Sequence, residues 1–200
     1  MRDEGYIKFA CDCEADQPPS WHEVSTLNAW RERLFDLGLI GAYPDGIGFG
    51  NVSLRCANPT QFIVTASGVG GIRSLRRDQF TRVVGYDLSR NYVDCRGILK
   101  PSSESLTHAA FYDASRSIQA VIHVHQLEFW RAHLDKLPST SRNVPYGTPE
   151  MAIEIRHLLR EKNASRHQIC IMGGHEEGII AYGNSISQAA SLLLNQFRKT

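Results

Sequence analysis

The six residues Ala120-Val-Ile-His-Val-His125 constrain this chain more than any other stretch. Val121, Ile122 and Val124 are β-branched, and segments of helical character flank them, so the spacing predicts a buried strand. Side chains on a strand alternate between faces. His123 and His125 therefore share one face, with Cα atoms roughly 6.5 Å apart. At that spacing both imidazoles reach one metal ion at about 2.0–2.1 Å. A pair of core histidines with ordinary hydrogen bonds would leave the same trace in the sequence. Two ligands also leave a zinc site incomplete, because catalytic zinc usually takes three protein ligands and keeps one position open. Such a strand needs a third ligand and a base beside it.

A chain of 200 residues suits one domain over residues 1–200 with a sizeable core. Its 42% hydrophobic and 22% charged residues are ordinary for a globular protein. The net charge of +1 offers no electrostatic case for nucleic acid or an anionic membrane as partner. Arg73, Arg76 and Arg77 read as a solvated face. No apolar run approaches the roughly 20 residues of a membrane span. Met1-Arg-Asp-Glu4 lacks the apolar core of a signal peptide, so a cytoplasmic location is expected. The five cysteines, Cys11, Cys13, Cys56, Cys95 and Cys170, are odd in number and irregularly spaced, which predicts reduced thiols. Cys11-Asp-Cys13 has the spacing of a ligand pair but no second pair to complete it.

A short strand is expected over Gly5–Ala10. Ser20 with Glu23 forms a capping box that starts a helix at Trp21, and Trp21, Val24, Leu27, Trp30, Leu34 and Leu37 should face the core. Gly38 or Gly41 ends it. Gly46-Ile-Gly-Phe-Gly-Asn51 is glycine-rich, but its spacing is not that of a dinucleotide fingerprint, and a strand rather than a helix follows over Val52–Cys56. Its glycines would still let backbone N–H groups approach an anion. Gln61–Thr65 reads as a strand leading into the small-residue loop Ala66–Gly71. A short helix is expected over Leu75–Phe80, and a hairpin over Val83–Asp87 and Tyr92–Cys95. Pro101-Ser-Ser-Glu104 opens a helix to about Ala114 with Ser102 as N-cap, leaving an anion site at the helix start. Leu127–Leu134 reads as a short helix. Thr148 and Pro149 start another, through about Glu161. Strands are expected over Gln168–Met172 and Glu177–Tyr182, and Ser185 with Gln188 caps a last helix.

His175, which follows a buried strand through two glycines, is the candidate third ligand, and Glu104 is the candidate base. Three histidines, one glutamate and small-residue loops able to hold a phosphate describe a zinc enzyme acting on a phosphorylated substrate.

The motifs Gly50-Asn-Val-Ser-Leu-Arg55, Thr65-Ala-Ser-Gly68, Pro101-Ser-Ser-Glu104, His123-Val-His125, Gly147-Thr148 and Gly174-His175 occur in the order found in one family. Over about residues 25–190 the chain resembles the class II aldolase/adducin-head family. The resemblance implies a three-layer α/β/α sandwich around a largely antiparallel, mixed sheet. It implies zinc held by His123, His125 and His175, with Glu104 as catalytic acid/base. It also implies a substrate phosphate held by Asn51, Ser67, Gly68, Ser102 and Ser103, and a fourfold homo-oligomer. The implied reaction is retro-aldol cleavage of a ketose 1-phosphate to dihydroxyacetone phosphate and an aldehyde. A methylthioribulose-1-phosphate-type dehydratase or a pentulose-phosphate 4-epimerase would keep the metal and change the reaction. A non-catalytic binding module like the adducin head would keep only the fold, but has no need of a costly buried polar cluster. The chain departs from the family's sugar-phosphate aldolases in a short segment between His125 and Gly147, in ending soon after the last helix, and in Gly48 where a threonine stands near the phosphate.

Overall fold

The computed structural model describes residues 5–160 and 167–198. An eight-stranded sheet organises them, in the order β1-β7-β6-β5-β4-β8-β10-β9. The strands are β1 (Ala10–Glu14), β4 (Asn51–Arg55), β5 (Phe62–Thr65), β6 (Phe80–Asp87), β7 (Tyr92–Arg96), β8 (Ala120–His125), β9 (Ile169–Ile171) and β10 (Gly178–Gly183). The short strands β2 (Gly41–Ala42) and β3 (Gly48–Phe49) form a separate ribbon. Only β1 and β7 pair in parallel; the other neighbours are antiparallel, so the sheet is mixed and largely antiparallel.

Helices α1 (Trp21–Asp36), α3 (Leu127–His133) and α5 (Ile186–Phe197) cover one face. Helices α2 (Ser105–Ala114) and α4 (Pro149–Arg160) cover the other. Strand alternation separates the two cores. Ile122 and Val124 of β8 join Val24, Leu27, Leu34 and Leu193 on the first face, while Val121 joins Leu106, Phe111, Met151 and Ile155 on the second. His123 and His125, in phase with Val121, face the α2–α4 side. This is the expected three-layer sandwich.

Local signals account for most element starts. The Ser20–Glu23 capping box is formed at α1. Thr148 Oγ1 accepts from the Met151 N–H at α4, and Ser185 Oγ accepts from the Gln188 N–H at α5. Several expectations need correction. The first strand is Ala10–Glu14 rather than Gly5–Ala10, because its ladder follows β7. The segment expected as a helix over Leu75–Phe80 is only a 3-10 turn, Arg77–Gln79, running straight into β6. Ser102 does not cap α2; that position is taken by Glu104, while Ser102 Oγ accepts from the Glu104 N–H at 3.3 Å. Trp21 and Leu37, at the two ends of α1, are 49% and 54% exposed, and Arg31 takes the buried place on the stripe between Leu27 and Leu34. Glu161, the expected end of α4, lies outside the described residues. The cysteines are not all thiols: Cys13 and Cys95 form a disulfide, and Cys11, Cys56 and Cys170 are free. The parallel register sets Cys13 opposite Cys95 with Cα atoms 4.7 Å apart, within the span a disulfide bridges. Among the described residues no helix is long and apolar enough to cross a membrane.

Candidate metal centre

Strand β8 lies between β4 and β10, and both neighbours pair directly with its histidines. Asn51 of β4 pairs with His123, and Gly178, the first residue of β10, pairs with His125. The turn from Met172 to Gly178 brings in the third imidazole. Its backbone closes with the His175 N–H donating to Met172 O and the Gly178 N–H to His175 O. The two preceding glycines are needed for close approach: a Cβ on Gly174 would stand 2.0 Å from Val144 O, and one on Gly173 would stand 2.2 Å from Thr140 O. The ring centroids of His123, His125 and His175 stand 4.9, 5.0 and 4.9 Å apart, a nearly equilateral triangle. One ligand atom from each lies within 4.8 Å of the others, so the group can hold a metal ion.

The electrostatics fit that donor set. Burial, reinforced by His125, His175 and His108, drives the His123 pKa well below the ordinary value, leaving a neutral ring with a lone pair. His123 Nε2 is buried and has no hydrogen-bond partner. His125 is oriented from behind. Tyr43 Oη donates to Glu177 Oε2 at 2.6 Å and lies 2.8 Å from His125 Nδ1. With its proton given to Glu177, the hydroxyl accepts Nδ1–H, which puts the lone pair of His125 on Nε2. The Phe49 ring stacks on His125 at 5.3 Å, and the Tyr146 ring lies 4.6 Å from that of His175. Lys8 reaches over the Tyr146 ring at 3.8 Å and donates to Tyr146 O.

Glu104 enters from the start of α2, fully buried, with Oε1 3.3 Å from His175 Nδ1. Burial pushes its carboxyl up, but the hydrogen bond and charge of His175, with Thr107 and His108, outweigh this and hold it below the usual range. His108, one turn along, is pushed down to about 4 by burial against the opposing pull of Glu104. Its Nδ1 lies 2.7 Å from Ser53 Oγ, which ties the buried ring to β4.

Beside the histidines lies a cavity of about 260 Å³. All five residues expected at the phosphate, Asn51, Ser67, Gly68, Ser102 and Ser103, line it. Asn51 belongs to both places, its Nδ2 standing 3.3 Å from His123 Nδ1. Gly68 has φ +76°, which favours glycine at the turn of this loop. The loop is held from below by Arg31, whose guanidinium donates to the carbonyls of Val69, Gly70, Ile72 and Arg73. Burial lowers the Arg31 pKa to about 10, so it stays a cation beneath the cavity.

Arg31, Tyr43 and Glu177 were not anticipated from the sequence. A charged residue on the apolar stripe of α1 was a usable signal for Arg31. Tyr43 gives none, because only the β2–β3 ribbon carries it to His125.

A mixed α/β/α sandwich with three converging imidazoles, a buried carboxylate and an adjoining polar cavity defines a class of metal-site enzyme folds. The chain belongs to the class II aldolase and adducin N-terminal domain family, whose model matches residues 44–195. An L-fuculose 1-phosphate aldolase is similar in structure, with a TM-score of 0.68 at 18% identity over 91% of this chain and 84% of that one. A sugar-phosphate aldolase from Thermotoga maritima superposes with a TM-score of 0.64 at 15% identity, covering 88% of this chain and 91% of that one. In sequence, 77 residues are 38% identical to a protein named a probable L-ribulose-5-phosphate 4-epimerase, UlaF, of Mycoplasma pneumoniae. That match covers 38% of this chain and 30% of the relative.

Proposed function

We propose that this protein is a zinc-dependent lyase that cleaves a ketose 1-phosphate by retro-aldol chemistry to dihydroxyacetone phosphate and an aldehyde. The observation that carries the reading is the convergence of His123, His125 and His175 beside Glu104, against a cavity lined by all five candidate phosphate residues. His123, His125 and His175 would hold the zinc, leaving the ion its full charge because neutral imidazoles bring none. Bound there, zinc would supply a Lewis acid at a substrate carbonyl oxygen.

This chain's own residues do the rest. Ser67, Ser102, Ser103 and the Asn51 amide offer donors to the phosphate without formal charge, and Arg31 supplies a buried cation beneath their loop. Seating the phosphate there orients the substrate toward the histidines, since Asn51 touches both places. Glu104, whose Oε1 lies 3.3 Å from His175 Nδ1, accepts the proton of the substrate hydroxyl as the carbon–carbon bond breaks, and returns it to the product. The family's fourfold homo-oligomer belongs to the same proposal, and sedimentation measures it.

A second reading, 4-epimerisation of a pentulose 5-phosphate, draws on the 38% identity to the ribulose-phosphate epimerase over 77 residues. The test is metal content followed by a panel of ketose phosphates with product analysis. About one zinc per chain and two carbon fragments support the lyase. A single isomeric pentulose phosphate supports the epimerase. No divalent metal after reconstitution removes both and leaves the binding module.

A further inference from the structure

Cys11 and Cys13 lie two residues apart on β1, and so on one face of it; both pack against the α2–α4 core. The parallel register sets Cys13 opposite Cys95 of β7. The three sulfur atoms converge. Cys11 Sγ lies 2.9 Å from Cys13 Sγ and 3.4 Å from Cys95 Sγ, and the three ligand atoms fall within 4.8 Å of one another. Cys11 thus stands beside the Cys13–Cys95 bond, near both sulfurs, and not beyond one of them along its axis. Exchange of a thiol into a disulfide needs the attacking sulfur in line with the bond that breaks, so this triangle is poorly placed for a relay. Once the bond opens, three sulfurs grouped within 4.8 Å of one another can share one ion.

The surroundings narrow the ion. The donors grouped here are sulfur only. Phe9, Val83 and Val93 belong to the apolar core on this face. The nearby carboxylates, Asp12 and Asp94, alternate with the cysteines along the same strands and so turn to the opposite face. Thiolates select soft metals, and a structural zinc site would ordinarily require a fourth ligand. Three sulfurs against an apolar wall match a soft, monovalent, low-coordinate cation.

We propose that Cys11, Cys13 and Cys95, once the disulfide is reduced, form a three-sulfur site for a copper(I)-type cation. Reduction breaks the Cys13–Cys95 bond: a dithiol supplies two electrons and two protons and itself becomes a disulfide. Binding then displaces thiol protons to solvent. Burial otherwise favours the protonated form of Cys11, against the pull of Lys100, and the cation replaces that proton. The ion fastens the edge strand β1 to β7, as the disulfide does in the oxidised chain. In the sheet the site is separated from β8 by β6, β5 and β4, and it stands whether or not the histidine centre has the role proposed above.

The experiment uses the full-length protein, its histidine site saturated with zinc, reduced by a dithiol without oxygen and desalted. Copper(I) is titrated in against a chromophoric copper(I) chelator. One tightly held ion per reduced chain is expected, with sulfur-only coordination in X-ray absorption and none in the unreduced protein. Cys11→Ser and Cys95→Ser should each weaken binding by roughly 10–100-fold or more, at least what loss of an outer partner costs a metal site. Cys56→Ser should bind as the wild type. Near-ultraviolet circular dichroism checks that each variant is folded. Nitrogen ligands in the X-ray absorption, or a folded Cys11→Ser protein that holds copper(I) as tightly as the wild type, would overturn the site.

Discussion

Strands β8 and β1 carry the same pattern with different chemistry. Each sets two like side chains, His123 and His125 or Cys11 and Cys13, two residues apart toward the α2–α4 side of one sheet. Each meets a third of its kind from elsewhere, His175 from a turn and Cys95 from the next strand. They differ in their neighbours. β8 is buried at every residue and has polar partners arriving from both sides: Asn51, Tyr43 with Glu177, and Glu104. β1 is an edge strand with exposed alternate residues and an apolar backing. A ligand-like spacing becomes an oriented centre only where the fold also supplies groups that fix each ring and a carboxylate that can move a proton. At the edge the same spacing supplies a clamp.

The comparison is broken most decisively by His125→Ala. Metal measured by elemental analysis should fall from about one per chain toward none. The Lewis-acid contribution, several kcal/mol, should vanish with it and lower kcat on the order of 10³-fold. If the variant keeps its metal, the three histidines are not what holds it. Glu104→Gln separates ligation from chemistry: the metal should stay while kcat falls by about 10²–10⁴-fold, read in steady-state kinetics. Cys13→Ser probes the other cluster. In oxidising buffer it should lower the unfolding free energy by about 2–4 kcal/mol in urea titrations, with the histidine-bound metal retained. An unaltered stability would deny β1 its clamp. Tyr43→Phe is the mildest test. Without the hydroxyl that receives His125 Nδ1–H, metal affinity in a chelator competition should drop about 10–100-fold.

Much of this molecule was legible in local sequence. Capping boxes placed the starts of α1 and α5, alternation placed β4, the apolar, β-branched runs placed β5 and β8, and the hairpin of β6 and β7 followed from its turn residues. His123, His125, His175, Glu104 and the five cavity residues were each nameable in advance, and the structure brings them together. Strand β1 was misplaced because an edge strand takes its register from its partner, here β7, and carries little hydrophobic signal of its own. Arg31 does not show in helical periodicity, which assumes that a buried stripe is apolar, whereas here four loop carbonyls satisfy a buried guanidinium.

The sequence alone determined what depends on neighbours along the chain: strand and helix periodicity, the caps of α1, α4 and α5, the shared face of His123 and His125, and the glycines that let His175 turn inward. Tertiary structure decided what depends on residues distant in sequence. It brought Tyr43 and Glu177 behind His125, Arg31 beneath the loop after β5, and Cys13 opposite Cys95. Backbone preference and side-chain alternation act over a few residues and can be read locally. Hydrogen bonds and sulfur contacts between strands require a register, and register exists only once the sheet has formed.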